Sequence, residues 1–144
     1  MIISNPKKRE EFEQYYYLRW KILRKPWNQA KGSEKDELED KSIHRTVYDK
    51  NGKLIGCGRL HFNSKIEAQI RYMAVEKEYQ GKGVGSLILK SLEEAAKVRK
   101  AKYIILNSRK NAVKFYQKYD YHVVKKGQTL FDSIEHYKMM KKLQ

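Results

Sequence analysis

Apolar positions along this 144-residue chain change their period several times, and each change marks an element. Phe12, Tyr15, Tyr16, Leu18, Ile22 and Leu23 recur at three- and four-residue steps, the spacing of one helical face, with Arg19 on or beside it. Asn5-Pro6 predicts the start of that helix, because proline's missing N–H has no intrahelical partner in the first turn. Lys25-Pro26 predicts its end. From Trp27 to Ser42 the pattern dissolves into polar residues, with Gly32-Ser33 ahead of the acidic run Glu34, Asp36, Glu37, Glu39 and Asp40. The expectation there is a loop with at most one short helix, its acids solvated.

Ile43 to Tyr48 carries β-branched residues, Asp49-Lys50-Asn51-Gly52 supplies turn chemistry, and Lys53 to Phe62 resumes an apolar extended pattern, which together predict a hairpin. Asn63-Ser64-Lys65 turns the chain into a third strand, Ala68 to Val75. Strict alternation would put Ala68, Ile70, Tyr72 and Ala74 on one face and Gln69, Arg71, Met73 and Val75 on the other. Beyond Gln80 to Ser86, the residues Leu87, Ile88, Leu92, Ala95, Ala96 and Val98 return to helical period. Lys102 to Leu106 fits a buried strand and Asn111 to Tyr119 a further amphipathic helix. Tyr121 to Val124 and His136 to Met140 fit two closing strands around a polar turn near Gly127.

Composition limits what these elements build. With 40% hydrophobic and 12% aromatic residues, the chain has material for one core, so residues 1–144 are expected to form a single domain. Lys+Arg 32 against Asp+Glu 17 leaves a formal charge of +15, which attracts nucleic acid, an acidic protein or a phosphate-rich cofactor alike. The lysines are scattered through every segment and no base-stacking motif is present, so a solvated surface explains them more simply than an RNA-binding module. Cys57 is the only cysteine, and no C-x-x-C or His/Cys cluster has zinc spacing. A reducing, cytoplasmic setting is expected, with no metal. Cys57 between Gly56 and Gly58 reads as buried packing rather than as a covalent acyl-cysteine. No leader or membrane span is expected, because the longest apolar runs fall far short of about 18 residues.

The strand–glycine loop–helix passage carries the most chemistry. Gln80-Gly81-Lys82-Gly83-Val84-Gly85-Ser86 lets backbone approach a phosphate while the following helix aims free N–H groups at it. Walker spacing fails because Gly-Lys is followed by Gly83, and a dinucleotide fingerprint fails because Ser86 and Ile88 stand where glycine is needed. A purely structural turn is the alternative.

Met73-Ala74-Val75 followed by Gln80-Gly81-Lys82-Gly83-Val84-Gly85 resembles the Q/R-x-x-G-x-G/A acyl-CoA motif of the GNAT superfamily of N-acetyltransferases. Leu106 to Tyr121, with Phe115-Tyr116, is similar to the family's second block, and Glu135 to Met139 to its final strand; the likeness is strong over residues 43–142. One departure is Asp120, where the family usually places glycine before the aromatic that opens the next strand; Asp tolerates left-handed backbone. The resemblance implies an α+β fold, a central twisted, mostly antiparallel mixed sheet flanked by helices. It implies acetyl-CoA as cofactor, CoA as product and a primary amine, on a small molecule or a protein, as acceptor. Met73, Ala74 and Val75 would pair with the pantetheine arm, Gln80, Gly81, Lys82, Gly83, Val84, Gly85 and Ser86 would hold the pyrophosphate, and Asn107 and Asn111 would reach the pantetheine or adenosine, or else cap the next helix.

Acyl transfer to an amine also needs an oxyanion donor, an acid for the thiolate and a base. A backbone N–H is expected where the strand bulges beside Ala74 and Val75. Tyr116 is the expected acid, with core packing as its alternative. Glu67, His136, His44 or water are candidate bases. Arg19, Gln69, Arg71 and the acidic run are candidates for shaping the acceptor site, the acids by attracting a cationic amine. A catalytically silent acyl-CoA-binding domain is the competing function, and a homodimer is left open.

Overall fold

The computed structural model describes residues 1–144. The chain runs β1 (Ile2–Ser4), α1 (Arg9–Leu23), β2 (Ile43–Tyr48), β3 (Leu54–Phe62), β4 (Glu67–Val75), α2 (Val84–Val98), β5 (Tyr103–Arg109), α3 (Val113–Lys118), β6 (His122–Leu130) and β7 (Ile134–Lys142). The strands make one seven-stranded sheet in the order β1-β2-β3-β4-β5-β7-β6. Every pairing is antiparallel except β4 with β5, which α2 connects. This is the mixed α+β class that the resemblance implies.

The N-terminus departs from its expected form. Ile2–Ser4 pair with Thr46–Tyr48, a three-residue strand too short to show a period, and that pairing keeps the chain extended past Pro6. Helix α1 therefore begins at Arg9, with the Glu11 carboxylate accepting the Lys7 and Lys8 N–H groups at 3.0 and 2.9 Å.

Helix α2 packs the main core against one sheet face, where Leu60, Ile70, Ile88, Leu92, Ile104, Leu106 and Met139 are buried. Gly56 and Gly58 permit the close approach: a Cβ on either would lie 2.7 Å from Val84 Cγ1 or Ile88 Cγ2. Helix α1 covers the other face with Tyr15 and Leu18 over Cys57 and Ala74. Cys57 is fully buried, and burial pushes its thiol up to about 12, so it packs rather than reacts.

Strict alternation fails in β4. Cys57 pairs with Ala74 but Arg59 with Arg71, so Tyr72 and Met73 share one place opposite Gly58, and Tyr72 takes φ +58°. An extra residue in a strand reverses every later side chain. Ala68 and Ile70 accordingly join the α2 core, whereas Tyr72 and Ala74 turn to α1, and Met73 packs on the α2 side.

At the other edge, β6 extends to Leu130 and the turn is Phe131–Ser133, with Phe131 and Asp132 at φ +52° and +59°. Gly127 lies inside β6 at a register irregularity instead of in the turn. Asp120 adopts φ +72°, so the left-handed exit from α3 survives without glycine.

Candidate active site

Strands β4 and β5 run together from Glu67–Tyr103 to Ile70–Leu106 and then part. Beyond that point β4 stays paired to β3 as far as Val75, and β5 stays paired to β7 as far as Arg109, so a V opens between them. The Glu76 N–H bonds Ile55 O, which makes Val75–Gly56 a non-hydrogen-bonded pair and turns the Val75 N–H and C=O toward the V. Gln80 Nε2 donates to that carbonyl at 3.2 Å. Ala74 faces β3 instead, and the bulge lies at Tyr72–Met73 rather than beside Ala74 and Val75.

The glycine loop stands at the mouth of the V. Gly81 and Gly83 take φ +75° and +89°, a conformation that favours glycine, and a Cβ on Gly81 would meet nothing within 4 Å. The first backbone bond of α2 is Leu87 N–H to Gly83 O, and no side chain caps the helix, so the N–H groups of Val84, Gly85 and Ser86 lack intrahelical partners. Lys82 is exposed beside them, its ammonium 5.7 Å from the Tyr79 ring centroid. Gly85 lies close under the Phe115 ring instead, where a Cβ would sit 3.2 Å from it.

Tyr116 projects from α3 into the core between Phe115 and Tyr121, with ring centroids 5.1 and 5.8 Å away. It is 8% exposed, and its hydroxyl bonds no protein group although it is not sealed from solvent. Burial raises its pKa, so the phenol keeps its proton at physiological pH. Asn107 is exposed on β5 on the face shared with Arg109, which reaches α1, whereas Asn111 is exposed in the 3-10 turn before α3; neither caps α3.

Three acids of the run, Glu34, Asp36 and Glu39, fold inward, contrary to the solvated loop expected there. Arg19 and Arg59 are fully buried; Arg59 holds Asp36 at 2.7 Å and Glu39 at 2.9 Å, and Arg19 holds the same Glu39 oxygen at 2.9 Å. Arg71 joins Asp36 at 2.9 Å, and buried Glu34 bonds the Gly32 N–H at 2.7 Å. The Tyr72 ring lies at the centre, with the guanidinium carbons of Arg19, Arg71 and Arg59 at 4.2, 4.6 and 4.9 Å from its centroid. Glu34, Asp36 and Glu39 are thus engaged within the fold instead of solvated, whereas Glu37 and Asp40 remain exposed. Arg59 was the legible warning, a charge inside the apolar run Leu54 to Phe62.

The base candidates are dispersed. Glu67 lies at the closed end of the V, bonded to Tyr103 and Asn63. His44 is buried under α1 between the Tyr15 hydroxyl and Glu39 O. His136 alone stands near the open end, across from Arg109. A separate groove of about 900 Å³, lined by Phe12, Tyr16, Ser91 and Val98, lies away from both the V and the glycine loop.

Burial lowers the pKa of His44, His61 and His136, keeping them neutral. Burial opposes ionisation of Asp36 and Glu39 as well, but hydrogen bonds from Arg59 and Arg19 prevail and take Asp36 down to about 2. The depressed carboxylates stabilise the fold above about pH 4 and lose that contribution as pH falls toward 2. The neutral histidines add stability above about pH 6.5 that is lost below it, because the unfolded chain takes up protons the fold refuses. Melting temperature is therefore expected to be level above about pH 7, to decline below about pH 6.5 and to drop steeply below about pH 4. A level melting temperature across that whole range would contradict these assignments.

Residues 22–143 match the family model described as acetyltransferase (GNAT) domain. The chain is 36% identical over 135 residues to the uncharacterized N-acetyltransferase YjcF of Bacillus subtilis (strain 168), covering 94% of this chain and 95% of that one. Its fold is similar to an aminoglycoside 6'-N-acetyltransferase complexed with coenzyme A, at 16% identity and TM-score 0.79 over 99% of this chain and 97% of that one. It is similar too to an Elizabethkingia anophelis acetyltransferase with acetyl-CoA bound, at 18% identity and TM-score 0.80 over the same shares.

Proposed function

The chain belongs to the GNAT family of acetyltransferases, and on that premise we propose that it carries an acetyl group from acetyl-CoA directly to a primary amine in a ternary complex. The observation that carries this reading is the V between β4 and β5 with the uncapped α2 N-terminus at its mouth. Both parts fit the donor: a freed strand edge takes an extended arm by β-augmentation, and unpaired N–H groups beside Lys82 take a pyrophosphate. Acetyl-CoA supplies the thioester. Met73, Ala74 and Val75 line the arm, Gln80 to Ser86 hold the phosphates, and Asn107 and Asn111 approach from the β5 side.

The remaining chemistry belongs to the chain. The C–N bond forms as the C–S bond breaks; the amine gives up one proton and the departing sulfur takes one. A backbone N–H of the Met73–Val75 stretch meets the charge that develops on the carbonyl oxygen. The Tyr116 hydroxyl, protonated and free of protein partners, donates to the sulfur.

Saturating acetyl-CoA is expected to raise the melting temperature by about 5–10 °C, since about 100-fold excess over Kd is worth about 2.7 kcal/mol. Gly83→Asp is expected to abolish that shift by placing a carboxylate against the pyrophosphate. Gly83→Ala carries the same backbone strain without the charge and should retain much of it. Equal shifts in wild type and Gly83→Asp would displace the phosphate site. Amine-dependent release of CoA thiol tests the transfer itself; binding without release from any amine would indicate the silent domain.

A further inference from the structure

Two arginines on the α1 face of the V differ from Arg19 and Arg59 in having no carboxylate of their own. Arg24, the C-cap of α1, donates through Nε to Ser33 O at 3.0 Å and through Nη1 to Leu23 O at 3.1 Å. Arg109, the last residue of β5, donates through Nη2 to the same Leu23 O at 3.3 Å. One carbonyl thus draws two half-buried guanidinium groups together, although like charges repel and one donor would satisfy it. Arg71, on β4 across the V, is tied to Asp36, and the Glu34 carboxylate accepts from the Gly32 N–H and acts on Arg24 only through space, so neither guanidinium has an acid in direct contact. His136, opposite Arg109, is neutral, and the Phe131 ring lies 5.7 Å from the Arg24 guanidinium carbon. Burial lowers the pKa of both arginines, and each feels the charge of another arginine.

The two fully buried arginines nearby, Arg19 and Arg59, are each matched by an acid. Here the fold leaves most of ten N–H donors unspent, at the open end of the V and on the α1 side of the sheet. We propose that Arg24 and Arg109 bind an anionic group of the acceptor, a carboxylate or phosphate, so that the acceptor is a small amine bearing an acid. Two guanidinium forks side by side match the oxygens of either group. Phe131 and Tyr72 wall the site, and the amine of such an acceptor points into the V toward the thioester. This rests on the acetyl-transfer reading and specifies its substrate class. It reverses the cationic acceptor that the acidic run suggested.

The test compares amines that differ only in the acid: L-lysine with cadaverine and L-ornithine with putrescine for a carboxylate, glucosamine 6-phosphate with glucosamine for a phosphate. Within at least one kind of pair the acid-bearing member is expected to have a kcat/KM higher by about tenfold or more, mainly through KM. Which pairs respond identifies the anion. Arg24→Gln and Arg109→Gln should each erase that preference while the KM for acetyl-CoA stays put, and Lys50→Gln, on an exposed turn, should keep it. Turnover without preference for the acid, or a preference that survives both variants, overturns the proposal and leaves acetyl transfer standing. So does a rise in acetyl-CoA KM alone, which would mean that the arginines read the cofactor's phosphates. A measurement independent of turnover uses product-like probes on the CoA-saturated protein. N-acetylglycine at millimolar concentration should raise the melting temperature in wild type but not in the two variants, and N-methylacetamide in neither. No shift with N-acetylglycine, together with no acid preference among the amines, also overturns it.

Discussion

Tyr116→Phe is expected to lower kcat by about 10²-fold while acetyl-CoA still raises the melting temperature as it does in the unmutated chain. The substitution keeps the ring that packs between Phe115 and Tyr121 and removes an oxygen to which no protein group is bonded. A hydroxyl serving only the fold would have a partner, as those of two other buried tyrosines do. Tyr121 donates to buried Glu93 at 2.8 Å, and Tyr15 is 2.6 Å from His44 Nδ1. Tyr121→Phe removes one of the two side chains that donate to Glu93, leaving Lys141, and should cost stability with a smaller effect on kcat per folded molecule. The contrast separates acid from packing: equal kcat in Tyr116→Phe and wild type would assign the proton to water or another side chain.

Arg59→Met is expected to destabilise the protein by about 3–5 kcal/mol, the scale for removing one partner of a buried ion pair. Its guanidinium is fully buried between Asp36 and Glu39, and it also bonds His61 Nδ1 at 3.0 Å. Without it the two acids are left beside Arg19 and Arg71, and the segment from Gly32 to Ser42 loses its anchor to the sheet. Lys53→Met is the surface comparison: the Lys53–Glu78 pair is about half exposed at both ends, so water screens it and its loss should cost far less. Urea unfolding of the three proteins decides the matter. A loss for Arg59→Met no larger than for Lys53→Met would mean that the acidic run is held by something other than these pairs.

Much of this architecture follows from local pattern. The repeats in Phe12 to Leu23 and Leu87 to Ala96 specify helical faces wherever those helices dock, and Asp49 to Gly52 bends the chain whatever it joins. The three alternating glycines likewise mark a turn that needs positive φ at Gly81 and Gly83 and close approach at Gly85. Such features are legible because they depend on residues within a turn or two of one another. Ile2–Ser4 was not legible, because three residues carry no period and acquire strand form only by pairing with β2.

By itself, then, the sequence determined the succession of elements from the first helix onward and the place of the glycine loop, consequences of backbone preference and burial along neighbouring residues. The tertiary structure decided which side of the sheet each half of β4 serves, because the Tyr72 bulge exists only against Gly58 of another strand. It also decided the fate of the charges. An acidic run reads as solvated or as a lure for cations until Arg59 and Arg71 are brought to Asp36 from 23 and 35 positions away. Arg24 and Arg109, 85 positions apart and marked by nothing local, meet only because the end of α1 and the end of β5 reach the same carbonyl. Electrostatic partnership depends on distance in space, and distance in space is set by which strands pair and where they part.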